Sequence, residues 1–327
     1  MKSLEQLREV FLKHLKSTIN HNEPKGLYDP VHYILDLGGK RLRPLLTLLS
    51  AQMYGESIDK ALNAALAVEV FHNFTLLHDD IMDQADLRRG NPTVHKKWDE
   101  NTGILSGDAM LIIAYQLFDE YDAGTFKQLT TLFSQTALEV CEGQQFDVDF
   151  ESRDDVTIAE YMNMIKLKTS VLVGCALQMG AIIAGKNEEE QQKVYDYGIN
   201  LGLAFQLMDD YLDAFGDPAT FGKEVGGDIR ENKKTYLYLK SIENLEHTHD
   251  LKTWFAINHL DMTMDEINDK KEQVKVHFEK SGGAQATLEA IKSYTEKALQ
   301  DIKGLDIPEQ AKEELTNFSL KLMGRVS

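Results

Sequence analysis

The stretch Leu62–Asp83, LNAALAVEVFHNFTLLHDDIMD, decides the fold class. Apolar residues recur along it at three- and four-residue spacing, which is the periodicity of an α-helix and not of a strand. Residues 192–215 repeat the pattern, and only six prolines interrupt the 327 residues of the chain. Breakers divide the rest into further helical segments, with no β-rich block and no solenoid repeat. The sequence therefore predicts an all-α protein, a single-domain helical bundle over residues 1–327.

Both of these stretches end in the same acidic motif, L-x-D-D-x-x-D. The first copy is Leu77–Asp83 and the second is Leu207–Asp213. In each copy the first and last aspartates are four positions apart, which puts both carboxylates on one face of a helix, one turn apart. Like charges at that spacing repel each other, so the arrangement is relieved only when a cation binds.

The chemistry of the two motifs points to a hard divalent cation. Aspartate oxygens without a Cys or His cluster suit Mg²⁺, with Mn²⁺ as a substitute. Mg²⁺ keeps several waters and binds one or two carboxylates together with substrate phosphates, so two such helices predict a phosphate-bearing substrate between them. A solvated acidic face is the alternative for either motif alone. An EF-hand is excluded, because its glycine and its alternating oxygen ligands are missing.

Basic residues that suit a phosphate stand at the breakers of the chain. Glycine lets a backbone approach an anion, arginine binds phosphate oxygens as a fork, and lysine acts as a point charge. The candidates are Lys40, Arg41, Arg43, Arg88, Arg89, Lys168, Lys223, Lys233 and Lys234. Any one of them alone is more often a solvated surface residue. The glycine-rich stretch 215–228 is either a lid that brings Lys223 to the phosphates or an ordinary loop.

Composition limits the partners and the compartment. The formal net charge of −18 argues against nucleic acid. Cys141 and Cys175 stand in apolar surroundings and are interpreted as small core residues. The N-terminus is amphipathic and carries acid, unlike a signal or transit peptide. Because no apolar run reaches the length of a membrane span, we expect a cytoplasmic protein that is not an integral membrane protein.

Six motifs in this order resemble those of the trans-prenyltransferases, also called polyprenyl diphosphate synthases. They are GGKRLRP at 38–44, HDDIMDQADLRRG at 78–90, GQQFD at 143–147, Lys168-Thr169, FQLMDDYLD at 205–213 and GKEVGGDIRENKKT at 222–235. The resemblance implies an isoprenoid synthase-like, all-α bundle around a deep central cavity, usually as a homodimer. It also implies head-to-tail condensation of isopentenyl diphosphate with an allylic prenyl diphosphate.

The resemblance also implies roles for single residues at the positions that match. The Mg²⁺ ligands would be Asp79, Asp83 and Asp209, supported by Asp80 and Asp213. Isopentenyl diphosphate would be bound by Gly39, Lys40, Arg43, His72 and Arg89. The allylic diphosphate would be bound by Arg88, Lys168, Thr169, Gln206, Lys223 and Lys233. Dipoles would be presented to the allylic cation by the catalytic residues Lys168, Thr169 and Gln206. Supporting contacts would come from Gln144 and Asp147.

Two positions qualify this assignment. His72 lies on the helical pattern and, without the resemblance, is equally a core histidine. Asn232 stands where many members of the family have glycine, so the loop before Lys233 is expected to differ in shape.

Product length is expected to depend on the helix that carries Asp79. Thr75, Phe74 and Phe71 precede Asp79 by four, five and eight positions and so lie below it on nearby faces. A chain growing along that wall would meet Phe74 or Phe71, which predicts a short product of C15 to C20, with C20 slightly preferred. The alternative is that both are ordinary core aromatics. The first motif lacks the longer insert of one bacterial farnesyl class, which argues against a simple farnesyl assignment.

Three other classes of protein compete with this interpretation. A class I terpene cyclase also uses an acidic helix, but its second metal motif normally mixes Asn or Asp with Ser or Thr and Glu. A non-catalytic subunit of a heteromeric synthase tends to lose acidic or basic motifs, and both kinds are intact here. A helical scaffold protein gives no reason for two carboxylate ladders at helix ends.

Overall fold

The computed structural model describes residues 2–217 and 225–324, except for the side chains at 245–247 and 259. Nearly all of the described residues that have regular structure are helical, and the all-α prediction is confirmed. The helices up to the second acidic motif are α1 (Leu4–Thr18), α2 (Lys25–Asp36), α3 (Leu42–Met53), α4 (Ile58–Met82), α5 (Val94–Lys97), α6 (Glu100–Gln116), α7 (Ala123–Glu151), α8 (Ile158–Ile165), α9 (Val171–Ile183) and α10 (Glu188–Phe215).

The remaining elements complete the C-terminal third and one short hairpin. The later helices are α11 (Gly227–Arg230), α12 (Tyr236–Ile242), α13 (Leu245–Phe255), α14 (Met264–Lys280), α15 (Gly283–Gly304) and α16 (Glu309–Met323). A 3₁₀ turn, His259–Asp261, precedes α14. Strands β1 (Leu87–Arg88) and β2 (Asn91–Pro92) pair antiparallel, with Leu87 opposite Pro92.

The chain forms two compact units. The first comprises residues 1–135, 175–195 and 306–308, and the second comprises 136–174, 196–305 and 309–327. The first unit contains the first acidic motif and the second unit contains the other. The expectation of a single domain over residues 1–327 stays a prediction.

Helix α4 is the central element of the first unit. Ser57 caps its N-terminus by accepting a hydrogen bond from the backbone N–H of Asp59. Its side chains are buried on several faces, against α3 on one side and α6 on another. Gly107 on α6 permits close approach, because a Cβ there would overlap the ring of His78. The helix ends at Met82, so the first acidic motif lies on its last turn.

A π-helical turn, Lys166–Ser170, joins α8 to α9 in the second unit. Gly143 on α7 packs against this turn, since a Cβ at that position would lie 2.7 Å from Lys168 Cα. Gly202 on α10 does the same, with a Cβ 2.7 Å from Ser170 Cα. A π-turn inside an α-helix is often found at a functional site. Here it holds Lys168 and Thr169.

The expectation that no apolar run reaches the length of a membrane span is wrong: among the described residues, one helix is long and apolar enough by length and composition alone. It runs from Ile158 to Ile183, and 72% of its most apolar stretch is buried inside the protein. A core helix of a non-membrane protein passes the same test, so the helix is weak evidence for a span. Cys175, which lies on it, is buried as predicted, whereas the prediction of a core position for Cys141 is wrong because Cys141 is exposed on α7.

Candidate active site

The first acidic motif divides its carboxylates between two environments. Asp79 and Asp83 lie one turn apart at the end of α4, and Asp83 N donates to Asp79 O at 2.8 Å. Asp80 points inward and is buried. Its two oxygens accept from Arg88 Nε and Nη2, each at 2.7 Å. Burial raises the pKa of Asp80, and Arg88 opposes that shift. Asp80 therefore pairs with Arg88, which leaves Asp79 and Asp83 as the pair suited to a cation.

Arg88 and Arg89 lie on the β1–β2 hairpin and point to different partners. Arg88 Nη2 also lies 3.8 Å from Asp79 Oδ2. Arg89 has a left-handed backbone, φ 53°, and donates to the carbonyl of Gly38. Its guanidinium packs so closely on Gly39 that a Cβ there would lie 2.8 Å from Arg89 Cζ. Glycine at position 39, with φ 117°, is thus required by both space and backbone conformation.

His72 serves as an acceptor for a cation. Arg43 Nη1 lies 3.1 Å from His72 Nε2. Because a guanidinium only donates, Nε2 must be unprotonated. Burial and then the positive charges of Arg43, Arg89, Arg88 and Arg41 hold the pKa of His72 well below its usual range. A neutral His72 orients Arg43 without adding positive charge.

Sequence reasoning missed the residue that anchors the GGKRLRP turn. Arg41 is buried with a left-handed backbone, φ 54°, and donates to Glu69 on α4 and to the carbonyl of Leu35. Glu69 also accepts from Asn73 Nδ2 at 3.0 Å. Arg41 therefore fixes the turn, and the prediction that it is a candidate for phosphate binding is wrong. The signal was a glutamate placed inside an otherwise apolar helical pattern.

The π-turn of the second unit holds two of the predicted catalytic residues. Lys168 Nζ lies 2.6 Å from Oδ2 of Asp147 on α7, one of the two residues that the resemblance implies as supports. Thr169 Oγ1 donates to Gln206 Oε1 on α10 at 3.1 Å. The structure thus brings Lys168, Thr169 and Gln206 into one part of the unit.

The second acidic motif is more crowded with carboxylates than the first. Asp210 is buried and accepts from the Tyr161 hydroxyl and, at 3.0 Å, from Gln206 Nε2. Burial raises the pKa of Asp210 to about 7, against the effect of these two donors. Asp213 Oδ1 accepts from the backbone N–H of Asp228 at 3.0 Å. Burial and the charges of Asp213 and Asp210 raise the pKa of Asp228 well above its usual range. A cation would relieve this repulsion.

The donor set fits Mg²⁺ better than a metal that needs a closed cage. Over residues 2–217 and 225–324, no group of three or more His, Cys, Asp or Glu side chains is arranged to hold a metal by itself. Mg²⁺ takes one or two carboxylates and completes its shell with water and phosphate oxygens. Asp79 with Asp83, and Asp209 with Asp213, are pairs of that kind.

The turn before Lys233 is fixed by a polar contact that glycine lacks. Asn232 has φ 59°, a conformation that glycine adopts readily and asparagine tolerates. Its Nδ2 donates to the carbonyl of Ile257 at 2.9 Å, and its Oδ1 accepts from the buried Lys270. Lys233 lines a small cavity together with Asp210, Asp213 and Asp228. Lys223, the other predicted lysine of this region, lies outside the described residues.

Comparison with known proteins identifies the family. The polyprenyl synthetase family model matches residues 24–274, about three quarters of the chain. The chain belongs to the polyprenyl synthetase family. A geranylgeranyl diphosphate synthase of Saccharolobus solfataricus is 37% identical over 300 residues, which cover 90% of this chain and 88% of that protein.

Solved structures of polyprenyl synthetases share the whole fold. A crystal structure of a geranylgeranyl pyrophosphate synthase superposes with a TM-score of 0.98 and 72% identity over 99% of both chains. A geranylgeranyl pyrophosphate synthase from Corynebacterium glutamicum, complexed with isoprenyl diphosphate and magnesium, gives a TM-score of 0.87 and 27% identity over 99% of this chain and 100% of that one. The protein is a prenyltransferase, a trans-isoprenyl diphosphate synthase with the isoprenoid synthase-like fold, as the six motifs predicted.

The residues expected to limit product length in this polyprenyl synthetase lie in an aromatic cluster on α4. Phe71 and Phe74 are buried, with ring centroids 5.6 Å apart. Phe71 packs edge-on against Phe133 of α7 at 5.1 Å, and Phe74 packs against His78 at 4.7 Å. The Thr75 hydroxyl donates to the carbonyl of His72 at 2.8 Å. Membership of an aromatic cluster fits both a core role and a product floor, so the chain-length assignment stays a prediction.

Proposed function

We propose that the protein catalyses Mg²⁺-dependent, head-to-tail condensation of isopentenyl diphosphate with an allylic prenyl diphosphate. The product would be a trans-prenyl diphosphate of C15 to C20, with C20 slightly preferred. The observation that carries the proposal is that each unit places an aspartate pair at a helix end together with cationic side chains. A Mg²⁺–diphosphate complex needs both kinds of partner, and a terpene cyclase has no use for a second diphosphate site at GGKRLRP.

The metal would be held by Asp79 and Asp83 at the end of α4 and by Asp209 and Asp213 at the end of α10. Bound Mg²⁺ supplies charge stabilisation to the leaving diphosphate. Asp80 supports the site through Arg88, which it orients with two hydrogen bonds. Mn²⁺ has the same ligand preference and would substitute.

The allylic diphosphate would be bound by Arg88, Lys168, Lys223 and Lys233, with Thr169 and Gln206 close to the reacting carbon. Cationic side chains stabilise negative charge as the C–O bond breaks. The oxygen of Thr169 and the amide of Gln206 present dipoles to the allylic cation that remains. No nucleophilic side chain is needed, because the double bond of isopentenyl diphosphate attacks the cation. The new cation then loses a proton, which the released diphosphate would accept, to give the elongated product.

Isopentenyl diphosphate would be bound by Gly39, Lys40, Arg43 and Arg89, with His72 orienting Arg43. In the structure Arg89 packs against Gly39, and His72 accepts from Arg43. The missing Cβ of Gly39 is what lets the Arg89 guanidinium approach the backbone there. His72 is then a positioning residue and not a direct ligand.

Two observations support a C20 product. The similar crystal structure at 72% identity is that of a geranylgeranyl pyrophosphate synthase. Phe71 and Phe74 are bulky residues placed one to two turns below Asp79 on α4. Geranylfarnesyl diphosphate synthases are also among the relatives, at 38% identity in Natronomonas pharaonis, so product length must be measured. We further propose a cytoplasmic homodimer that is not an integral membrane protein.

Incubation of the purified protein with isopentenyl diphosphate and a C5, C10 or C15 allylic diphosphate tests the proposal. We expect condensation with Mg²⁺, its loss on chelation by EDTA, and its return with added Mg²⁺ or Mn²⁺. Chromatography of the dephosphorylated products gives chain length. The proposal is wrong if none of the primers is elongated at any metal concentration.

A further inference from the structure

A chain of hydrogen bonds in the second unit links two predicted catalytic residues to two residues that had no assigned role. The hydroxyl of Tyr161, on α8, donates to Asp210 Oδ2. Gln206 Nε2 donates to Asp210 Oδ1 at 3.0 Å, and Thr169 Oγ1 donates to Gln206 Oε1 at 3.1 Å. Tyr161 and Asp210 are 3% and 5% exposed. The chain therefore runs from a buried tyrosine to the threonine of the π-turn.

The direction of every hydrogen bond in this chain is set by Asp210. In the structure both oxygens of Asp210 accept hydrogen bonds, whereas the Gln206 amide has one donor end and one acceptor end. Nε2 must therefore face Asp210, and Oε1 must face Thr169. The hydroxyl of Thr169 donates its hydrogen bond to Gln206 Oε1, so only the lone pairs of its oxygen are available to a neighbouring group. An amide flipped by half a turn would release that proton.

The carboxyl group of Asp210 is engaged by other side chains of the protein. Both of its oxygens already accept from protein donors, the buried Tyr161 hydroxyl and the half-buried Gln206 amide. A carboxylate held in this way has its strongest acceptor directions occupied, so it is poorly suited to a metal. Asp209 and Asp213, one position before and three after, are the ligands that the proposed function requires.

We propose that Asp210 and Tyr161 are positioning residues that fix the Gln206 amide, so that the Thr169 oxygen and not its proton faces the allylic cation. This inference rests on the proposed function. A hydroxyl proton turned toward the cation would place the positive end of the O–H dipole against a positive centre. The electrostatic loss is felt when the cation forms and not when the diphosphates bind. Asp210 and Tyr161 therefore act on kcat.

The variant Asp210→Asn separates this role from the alternatives, because it keeps the shape and supplies one acceptor and one donor. The Tyr161 proton will hold the oxygen of the new amide, whose NH₂ then faces residue 206 and forces Gln206 to flip. We expect kcat to fall roughly 10- to 100-fold, on the scale of one lost preorganised dipole. The KM values for both diphosphates and the Mg²⁺ concentration at half-maximal rate should stay within about threefold, which corresponds to about 0.7 kcal/mol.

The double variant Tyr161→Phe/Asp210→Asn provides the matched control. Without the tyrosine proton, the oxygen of the amide at position 210 is free to face Gln206 Nε2 and to restore the original orientation. We expect kcat to recover at least about fivefold over that of Asp210→Asn. If the two substitutions acted independently, their effects would add and the double variant would be slower than either single variant. A double variant as slow as the single one, or slower, overturns the proposal.

Two further results decide against it. If Asp210→Asn raises the Mg²⁺ requirement and regains full kcat at saturating Mg²⁺, Asp210 is a metal ligand.

If Asp210→Asn does not fold, as judged by its thermal unfolding, Tyr161→Phe alone still tests the inference. It removes one hydroxyl and should lower kcat by roughly three- to tenfold at unchanged KM, the effect of about one neutral hydrogen bond. An unchanged kcat excludes Tyr161. Absence of condensation in the unmodified protein would instead refute the proposed function.

Discussion

His72 lies on α4 against Arg43, whose Nη1 is 3.1 Å from His72 Nε2. Replacing His72 by Leu removes the acceptor that orients this half-buried guanidinium, and we expect the KM for isopentenyl diphosphate to rise roughly tenfold, the effect of about 1.4 kcal/mol. His72→Gln is the matched control, because its Oε1 also accepts, and its KM should stay within about threefold. An equal loss in both variants would show that the imidazole ring itself is required.

The same residue predicts a dependence of stability on pH. The pKa of His72 is held well below its usual range by burial and by Arg43, so between that pKa and about 6.5 the unfolded state binds a proton that the folded state does not. Stability should therefore fall as the pH falls below about 6.5. Urea unfolding of the unmodified protein and of His72→Gln should diverge in that range. Parallel curves would contradict the assignment of a neutral His72.

Lys270 on α14 provides a test at alkaline pH. Burial lowers its pKa to about 8, from 10.5 in the unfolded chain. Below pH 8 both states are protonated; between pH 8 and 10.5 the folded state has released its proton and the unfolded state has not. The unmodified protein should thus gain stability relative to Lys270→Met as the pH rises from 8 to 10.5, by at most about 3 kcal/mol. Denaturant unfolding of both proteins at each pH measures the difference in their free energies of unfolding. A difference that stays constant from pH 8 to 10.5 would contradict a buried ammonium group at Lys270.

Helices are the part of this fold that sequence patterns predict best, because burial of α4 imposes a three- and four-residue period over many turns. The π-turn at Lys166–Ser170 leaves no such signal, since five residues are too few to establish a period. The two-residue strands of the Arg88 hairpin were missed for the same reason. The motifs predicted that Lys168, Thr169 and Gln206 act together, and the structure brings them into one part of the second unit. The sequence could not predict the side-chain directions that pair Asp80 with Arg88 and Arg41 with Glu69.

At the scale of elements, Gly143 decides how closely α7 approaches the π-turn. Gly143→Ala places a methyl group 2.7 Å from Lys168 Cα, so the turn must move. We expect destabilisation of about 1–3 kcal/mol and a loss of activity larger than stability explains, because Lys168 and Thr169 shift together. Gly304→Ala, at the end of α15, is the control because a Cβ there meets nothing within 4 Å. Thermal unfolding and kcat are measured for both, and equal effects in the two variants would refute the role of the close contact.

Product length is a property of the whole molecule, because it depends on how far a growing chain can extend before a side chain stops it. Phe71 and Phe74 lie below Asp79 on α4 and are each buried. If they form the floor, Phe74→Ala should lengthen the product by about one C5 unit, since the two rings are staggered by roughly a helical turn of about 5.4 Å. The double variant Phe71→Ala/Phe74→Ala should lengthen it further.

The control for this prediction is Phe11→Ala on α1, which removes a similar, fully buried ring from the same unit. Each substitution opens a cavity and costs about 3–5 kcal/mol, so all three proteins are compared at a temperature where they stay folded. Chromatography of the dephosphorylated products should show longer chains in the α4 variants alone. If the double variant yields the same product as the unmodified protein, these rings are core aromatics and the floor lies elsewhere. Lengthening in Phe11→Ala as well would show that the change comes from general loosening, and product length would then follow from the packing of the unit as a whole.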